Sequence, residues 1–133
     1  MDLPAPPVTY ACHCLNCQTM SGASFVLQVL VPLSRFHING ETIEWTHPNS
    51  QGKVTAQRFC AACKTRIYST NEGRPGFALV RAGTLDDSEL IVPTVHMWAK
   101  RKQAWITLPA GHEAYAEAIP ADRLSAIFAP NFI

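Results

Sequence analysis

Three observations predict a single, mainly β domain. The apolar segments are short, Pro, Gly and Asn separate them, and the longest, residues 24–32, is rich in Val and Leu. A length of 133 residues with 47% hydrophobic and 16% charged content suits one compact domain with a modest core. The chain has no internal repeat, low-complexity tract or linker, so the predicted domain runs from 1 to 133.

Residues 8–12 are predicted as a strand leading into a cysteine cluster. The apolar run 24–32 reads as a central strand buried on both faces. Residues 32–40 then turn the chain, with a single helical turn at Leu33-Ser34-Arg35-Phe36 and a tight-turn dipeptide at Asn39-Gly40. Segments 42–46 and 53–59 form a predicted hairpin across Pro48-Asn49-Ser50-Gln51-Gly52, and its second arm delivers Cys60. Strand composition returns at 66–70, 77–82 and 93–99, with turn residues at 71–73 and 83–87 between them. Helical periodicity is confined to the C-terminal region. Residues 112–119 and 122–128 are predicted as short helices, the second after Pro120 with Asp122 as its cap.

The five cysteines fall in two tight groups, Cys12-His13-Cys14-Leu15-Asn16-Cys17 and Cys60-Ala61-Ala62-Cys63. Thiolates two or three residues apart on a turn can reach one metal at ~2.3 Å, whereas a disulfide scaffold spreads its cysteines to staple distant loops. Zinc is the metal this pattern implies, and more than one arrangement is open. Cys14, Cys17, Cys60 and Cys63 form two C-x2-C pairs 42 residues apart, which can close on one structural zinc. Alternatively, Cys12, Cys14 and Cys17 hold zinc with three thiolates and leave a position open for water or substrate, with Cys60 and Cys63 as half of a second site. With a lone zinc at the first cluster, the orphaned Cys60/Cys63 pair would oxidise to a disulfide or stay reduced; the third arrangement is a metal-free or incompletely occupied chain.

Other residues carry weaker signals. His13, between two ligand positions, points its ring away from the metal if Cys12 and Cys14 both point inward; otherwise it is a fourth ligand or proton shuttle. His96 reads as a core or surface histidine beside Met97 and Trp98, and His37, His47 and His112 fall in or near turns without a partner pattern. Ser21 and Gly22 either offer backbone N–H groups to a substrate oxygen or redirect the chain into the next strand. Arg58, Lys64 and Arg66 are surface charges or, if the second cysteine pair faces the first cluster, partners for ligand carboxylates. Trp45, Trp98 and Trp105 read as core or rim packing, and the tail 129–133 as docking on the domain or on a second subunit.

Charge and hydropathy narrow the function classes. A net charge of +1 gives no basic field for nucleic acid, and Lys100-Arg101-Lys102 reads as a solvated turn. No apolar run approaches the roughly 20 residues of a membrane span. Met1-Asp2-Leu3-Pro4 has neither a basic region nor an apolar stretch of signal-peptide type, so reduced thiols and a cytoplasmic location are the expectation.

Three stretches together resemble the glutathione-dependent formaldehyde-activating enzyme family. They are Tyr10-Ala11-Cys12-His13-Cys14-Leu15-Asn16-Cys17-Gln18, Ser21-Gly22-Ala23-Ser24-Phe25 and Arg58-Phe59-Cys60-Ala61-Ala62-Cys63. Pro93-Thr94-Val95-His96-Met97-Trp98 and Trp105-Ile106 with Leu108-Pro109 extend the likeness over roughly 4–112, leaving 113–133 as a C-terminal extension. The resemblance implies a β-tent of antiparallel sheets with zinc knuckles. It implies a catalytic zinc at Cys12, Cys14 and Cys17. It also implies a structural zinc held by an early C-x-C pair together with Cys60 and Cys63. No cysteine precedes Cys12, so this second zinc is expected to lack half its ligands. The implied activity is carbon–sulfur lyase chemistry on a glutathione–formaldehyde adduct or another small thiol, with glutathione as partner and a homodimer as a further expectation. The alternatives are a zinc-stabilised binding or chaperone module with a closed four-cysteine site, and a shortened, inactive relative.

Overall fold

The computed structural model describes residues 7–49 and 52–132. The expectations placed on Met1-Asp2-Leu3-Pro4, on Ser50 and Gln51 in the hairpin turn, and on Ile133 lie outside these residues. Strand β1 (Tyr10–Cys12) leads into helix α1 (Leu15–Ser21) and then into β2 (Val26–Pro32). The hairpin β3 (Thr42–Pro48) and β4 (Val54–Cys60) follows, then β5 (Arg66–Asn71), β6 (Phe77–Arg81), β7 (Val95–Met97) and β8 (Glu113–Ala114). Helix α2 (Ala121–Phe128) ends in a 3-10 turn at Ala129–Phe132. The strands form one sheet in the order β3-β4-β5-β6-β2-β1-β7-β8. The mainly β class predicted from sequence is the observed one.

β2 is central because its run of Val and Leu can be buried on both faces. Val29 and Val31 point into one cluster with Ala78, Val80 and Ala82. Leu30 points into the other, with Tyr10, Cys12, Val95, Ile119 and Phe128. Each of these large side chains contributes about 1.5–3 kcal/mol by leaving water. The second cluster matters for function, because Cys12 belongs to it.

The predicted hairpin has the register Thr42 opposite Cys60 and Pro48 opposite Val54. Its turn is shaped by Asn49, whose side chain accepts from the Lys53 N–H at 2.9 Å, and by Gly52 at φ 78°. The single helical turn expected at 33–36 is present as a 3-10 turn at Leu33–Arg35.

Four features differ from the sequence expectation. Residues 15–21 are helical; this helix buries no residue, so it has no apolar stripe to read. The segment 93–99 forms a strand only over Val95–Met97, because Trp98 takes the left-handed conformation (φ 57°) and starts a 3-10 turn at Ala99–Arg101. Residues 112–119 do not form a helix. The N–H groups of Glu113 and Tyr115 donate to the carbonyls of Thr94 and His96, and the carbonyls of Tyr115, Ala116 and Glu117 accept from Ala99, Lys100 and Trp98. Those tertiary bonds occupy the groups a helix would need. Asp122 lies inside the first turn of α2, with Pro120 at the cap position.

Two pairings are parallel, β1 with β7 and β7 with β8. The antiparallel description therefore holds from β3 to β1 and changes at the edge that carries the C-terminal half. The tail docks on its own domain. Asn131 is fully buried, its Oδ1 accepting from the Val8 N–H at 2.9 Å and its Nδ2 donating to the carbonyls of Val8 and Leu30. Phe132 is half-buried against Phe77. No helix among the described residues is long and apolar enough to cross a membrane.

Candidate metal centre

β1 ends at Cys12, and two residues later Cys14 caps α1. Cys14 has extended backbone angles, and its Sγ accepts from the Cys17 N–H at 3.3 Å. The C-x2-C spacing is thus a helix N-cap in which a thiol takes the place usually held by Ser or Asp. The geometry brings the Sγ atoms of Cys12, Cys14 and Cys17 within 4.8 Å of one another, with Cys12 buried and the other two half-buried. Tetrahedral sulfur ligands at ~2.3 Å from a metal lie ~3.8 Å apart, so the cluster is of the right size.

The protonation pattern also fits a metal. Hydrogen bonds from the thiols of Cys12 and Cys17 hold the Cys14 sulfur down to about 2, helped by the N–H groups of Cys17 and Asn16. Cys12 is pushed up by its bonds to Cys14 and Cys17 and by burial. Cys17 is raised to about 11: the bond from Cys12 lowers it, but the bond to Cys14, burial and the charge of Cys14 outweigh this. The three sulfurs are tied by hydrogen bonds, with Cys14 the most readily ionised of them. A divalent cation would replace the remaining protons and take all three as thiolates.

Cys60 and Cys63 do not join this group, and among the described residues no third cysteine, histidine or carboxylate gathers with them. The closed arrangement of Cys14, Cys17, Cys60 and Cys63 is therefore not the one assembled. The second pair forms its own knuckle at the end of β4. The Cys60 N–H donates to the Thr65 carbonyl, the Lys64 N–H to the Cys60 carbonyl, and Lys64 takes φ 65°. The exposed Cys63 thiol is lowered to about 7 by the hydroxyl and N–H of Thr65 and by Cys60.

The flanking cations divide. Arg58 pairs with Glu44 at 2.6 Å on the exposed hairpin, an interaction worth little. The Lys64 ammonium donates to the Ala61 carbonyl. Arg66 turns the other way: its Nη2 donates to the Met20 carbonyl of α1 at 3.3 Å, and its guanidinium lies over Phe59.

Ser21 and Gly22 close α1. The Ser21 hydroxyl donates to the Cys17 carbonyl at 2.7 Å, and the Gly22 N–H donates to the Gln18 carbonyl with φ 66°, a left-handed C-cap. Both donors are occupied, and this end of the helix presents carbonyls. Gly22 lines a shallow, open cavity of about 380 Å³ with Gln18, Ser24 and Gln103.

Sequence reasoning missed a chain of three histidines. His13 is fully buried with its Nε2 3.2 Å from Nδ1 of His96, and Nε2 of His96 lies 3.3 Å from Nδ1 of His112. One neutral tautomer of each ring satisfies both bonds. No local signal could have found this set, because His13 and His96 lie 83 residues apart.

Burial pushes the His96 pKa down to about 4, and the neighbouring His13 and His112 add to this. The fold therefore favours the neutral ring, while the unfolded chain takes a proton near pH 6.5. Stability from this group is complete above about pH 6.5 and is lost as pH falls toward 4, an effect on the order of 3 kcal/mol. Urea unfolding of the reduced, metal-free protein at pH 7 and pH 4.5 checks this. His96→Gln should flatten the difference, and an equally steep drop in that variant would assign it to another group.

The family model described as glutathione-dependent formaldehyde-activating enzyme matches residues 1–101. No curated protein matches the chain.

Proposed function

The chain belongs to the glutathione-dependent formaldehyde-activating enzyme family, and on that premise we propose that it is a zinc-dependent carbon–sulfur lyase-type protein. Its substrate would be the glutathione–formaldehyde adduct or the adduct of another small thiol. The observation that carries this reading is the convergence of the Cys12, Cys14 and Cys17 sulfurs, three ligands where a closed structural site needs four. Zinc held there would lower the pKa of an incoming thiol and keep it as thiolate near neutral pH.

In the synthetic direction the thiol sulfur adds to the formaldehyde carbon. One carbon–sulfur bond forms, the carbonyl π bond opens, and the thiol proton ends on the new hydroxyl group. The lyase direction reverses each change. The chain's own residues hold the geometry: Cys14 fixes the start of α1, Cys17 sits in its first turn, and Cys12 is anchored by its pairing with Val26 and Met97. The Cys60/Cys63 knuckle has a structural role in this reading, stiffening the end of the β4 strand. Closely spaced reduced thiols suit a reducing, cytoplasmic setting.

Elemental analysis of protein purified without added metal, with a free-thiol count under denaturing conditions, is the first test. About one zinc per chain and fully reduced cysteines are expected. Exchange NMR on glutathione and formaldehyde should then show faster interconversion with the adduct. Zinc that is indifferent to glutathione, without acceleration, would mark a structural centre, and no zinc with a disulfide would defeat the proposal.

A further inference from the structure

We propose that Arg81, with Arg66 beside it, supplies the counter-charge that lets the three-cysteine centre accept a fourth thiolate from a small molecule. The inference rests on the metal-centre reading above and deepens it by naming what the centre selects.

Arg81 ends β6 directly opposite Gln28 of β2, and Gln28 is opposite Tyr10 of β1. The Tyr10 hydroxyl donates to Gln28 Oε1 at 2.7 Å. Arg81, Gln28 and Tyr10 thus form a row across three neighbouring strands, on the face to which Cys12 also points. Arg66 reaches the same region from β5 by its bond to the Met20 carbonyl in α1, the helix that carries Cys17. Two guanidiniums therefore face one thiol cluster.

Neither has an acidic partner among the described residues. The ion pairs there are Arg58–Glu44, Lys100–Glu117 and Arg123–Glu113. The Nη1 of Arg81 is moreover buried with no hydrogen-bond partner. Such a donor is costly to leave unmade, and a charged one more so. Burial and the charge of Arg66 both work against the Arg81 cation, while Cys17, Tyr10 and Cys12 work for it. Among the described residues, the sulfur cluster is the anionic group set against this pair.

Charge counting then discriminates between ligands. A divalent metal with three thiolates carries −1, and two guanidiniums bring the site to +1. A water or an aldehyde leaves that excess in place. A thiolate cancels it. The site is thus balanced when a fourth sulfur anion is present, and thiolate is favoured over neutral ligands by its attraction to that uncompensated positive charge.

Cobalt(II)-substituted full-length protein tests this through its sulfur-to-metal absorption bands, without reference to turnover. Glutathione and 2-mercaptoethanol, which has no carboxylate, are the two probes. Arg81→Met should still bind one cobalt per chain at the cysteine cluster yet need about tenfold or more of either thiol to reach half-saturation. Arg81→Lys should recover part of the loss, and the better-solvated Arg66→Met should show a smaller loss of the same sign. Unchanged half-saturation for both thiols in Arg81→Met and Arg66→Met would overturn the proposal. So would weakening confined to glutathione, which would make the arginines a carboxylate grip. Loss of cobalt from Arg81→Met would assign the counter-charge to the resting centre and also overturn it. A wild-type chain that takes up no cobalt at these cysteines would instead defeat the metal-centre reading itself.

Discussion

Cys14→Ser should empty the metal centre while leaving the fold in place. Serine is a good N-cap, so its hydroxyl can still accept the Cys17 N–H and keep α1 started. What the variant loses is the most readily ionised of the three converging sulfurs. Disturbing even the outer partners of a metal site costs 10–100-fold in affinity, so removing a ligand should cost more than about 100-fold. Zinc per chain is expected to fall to near zero at this centre, with thiol-dependent activity at background. The melting temperature of the metal-free variant should match that of the metal-free parent. Metal retained at the parental stoichiometry would place the binding site elsewhere, with the Cys60/Cys63 knuckle as the first place to look.

Phe128→Ala should be the most damaging substitution for stability, at about 3–5 kcal/mol. Phe128 is fully buried at the end of α2, with its ring edge-on to Tyr10 at 5.5 Å. Tyr10 lies two residues before Cys12 on the same strand face, so the cavity would open beside the strand that carries the first ligand. Urea denaturation gives the magnitude. A loss below about 1 kcal/mol would mean that Tyr10 and its neighbours hold together without α2. Phe128 lies beyond the residues matched by the family model, so part of the core beneath the cysteine cluster comes from outside that match.

The parts of the molecule legible in the sequence are those whose signals are local. Short apolar segments, their strand composition and the Pro, Gly and Asn between them gave the strands from 26 to 81 within a few residues, and the Pro-Asn-Ser-Gln-Gly turn gave the β3–β4 hairpin. Cysteine spacing gave the three-sulfur cluster, though it left open which sulfurs would meet. The rest depends on contacts distant in sequence. Residues 112–119 have helical composition, but the parallel edge beside β7 claims their backbone groups. α1 exists because Cys14 caps it, and a cysteine cap is not a usual start signal. The histidine chain and the Arg81 row exist only where strands far apart in sequence lie side by side.

The parallel seating of β1 against β7 also sets an order of events during synthesis. Cys12, Cys14 and Cys17 leave the ribosome well before β7, and the His13 N–H cannot find the Met97 carbonyl until that strand has followed. Closing so long a loop is slow, because its entropy must be met before the pairing rewards it. For that interval the nascent chain carries three neighbouring thiols with one wall of their pocket missing. Loading with metal and protection from oxidants are then in competition with chain elongation, and the yield of correctly assembled centre depends on how quickly the second half arrives.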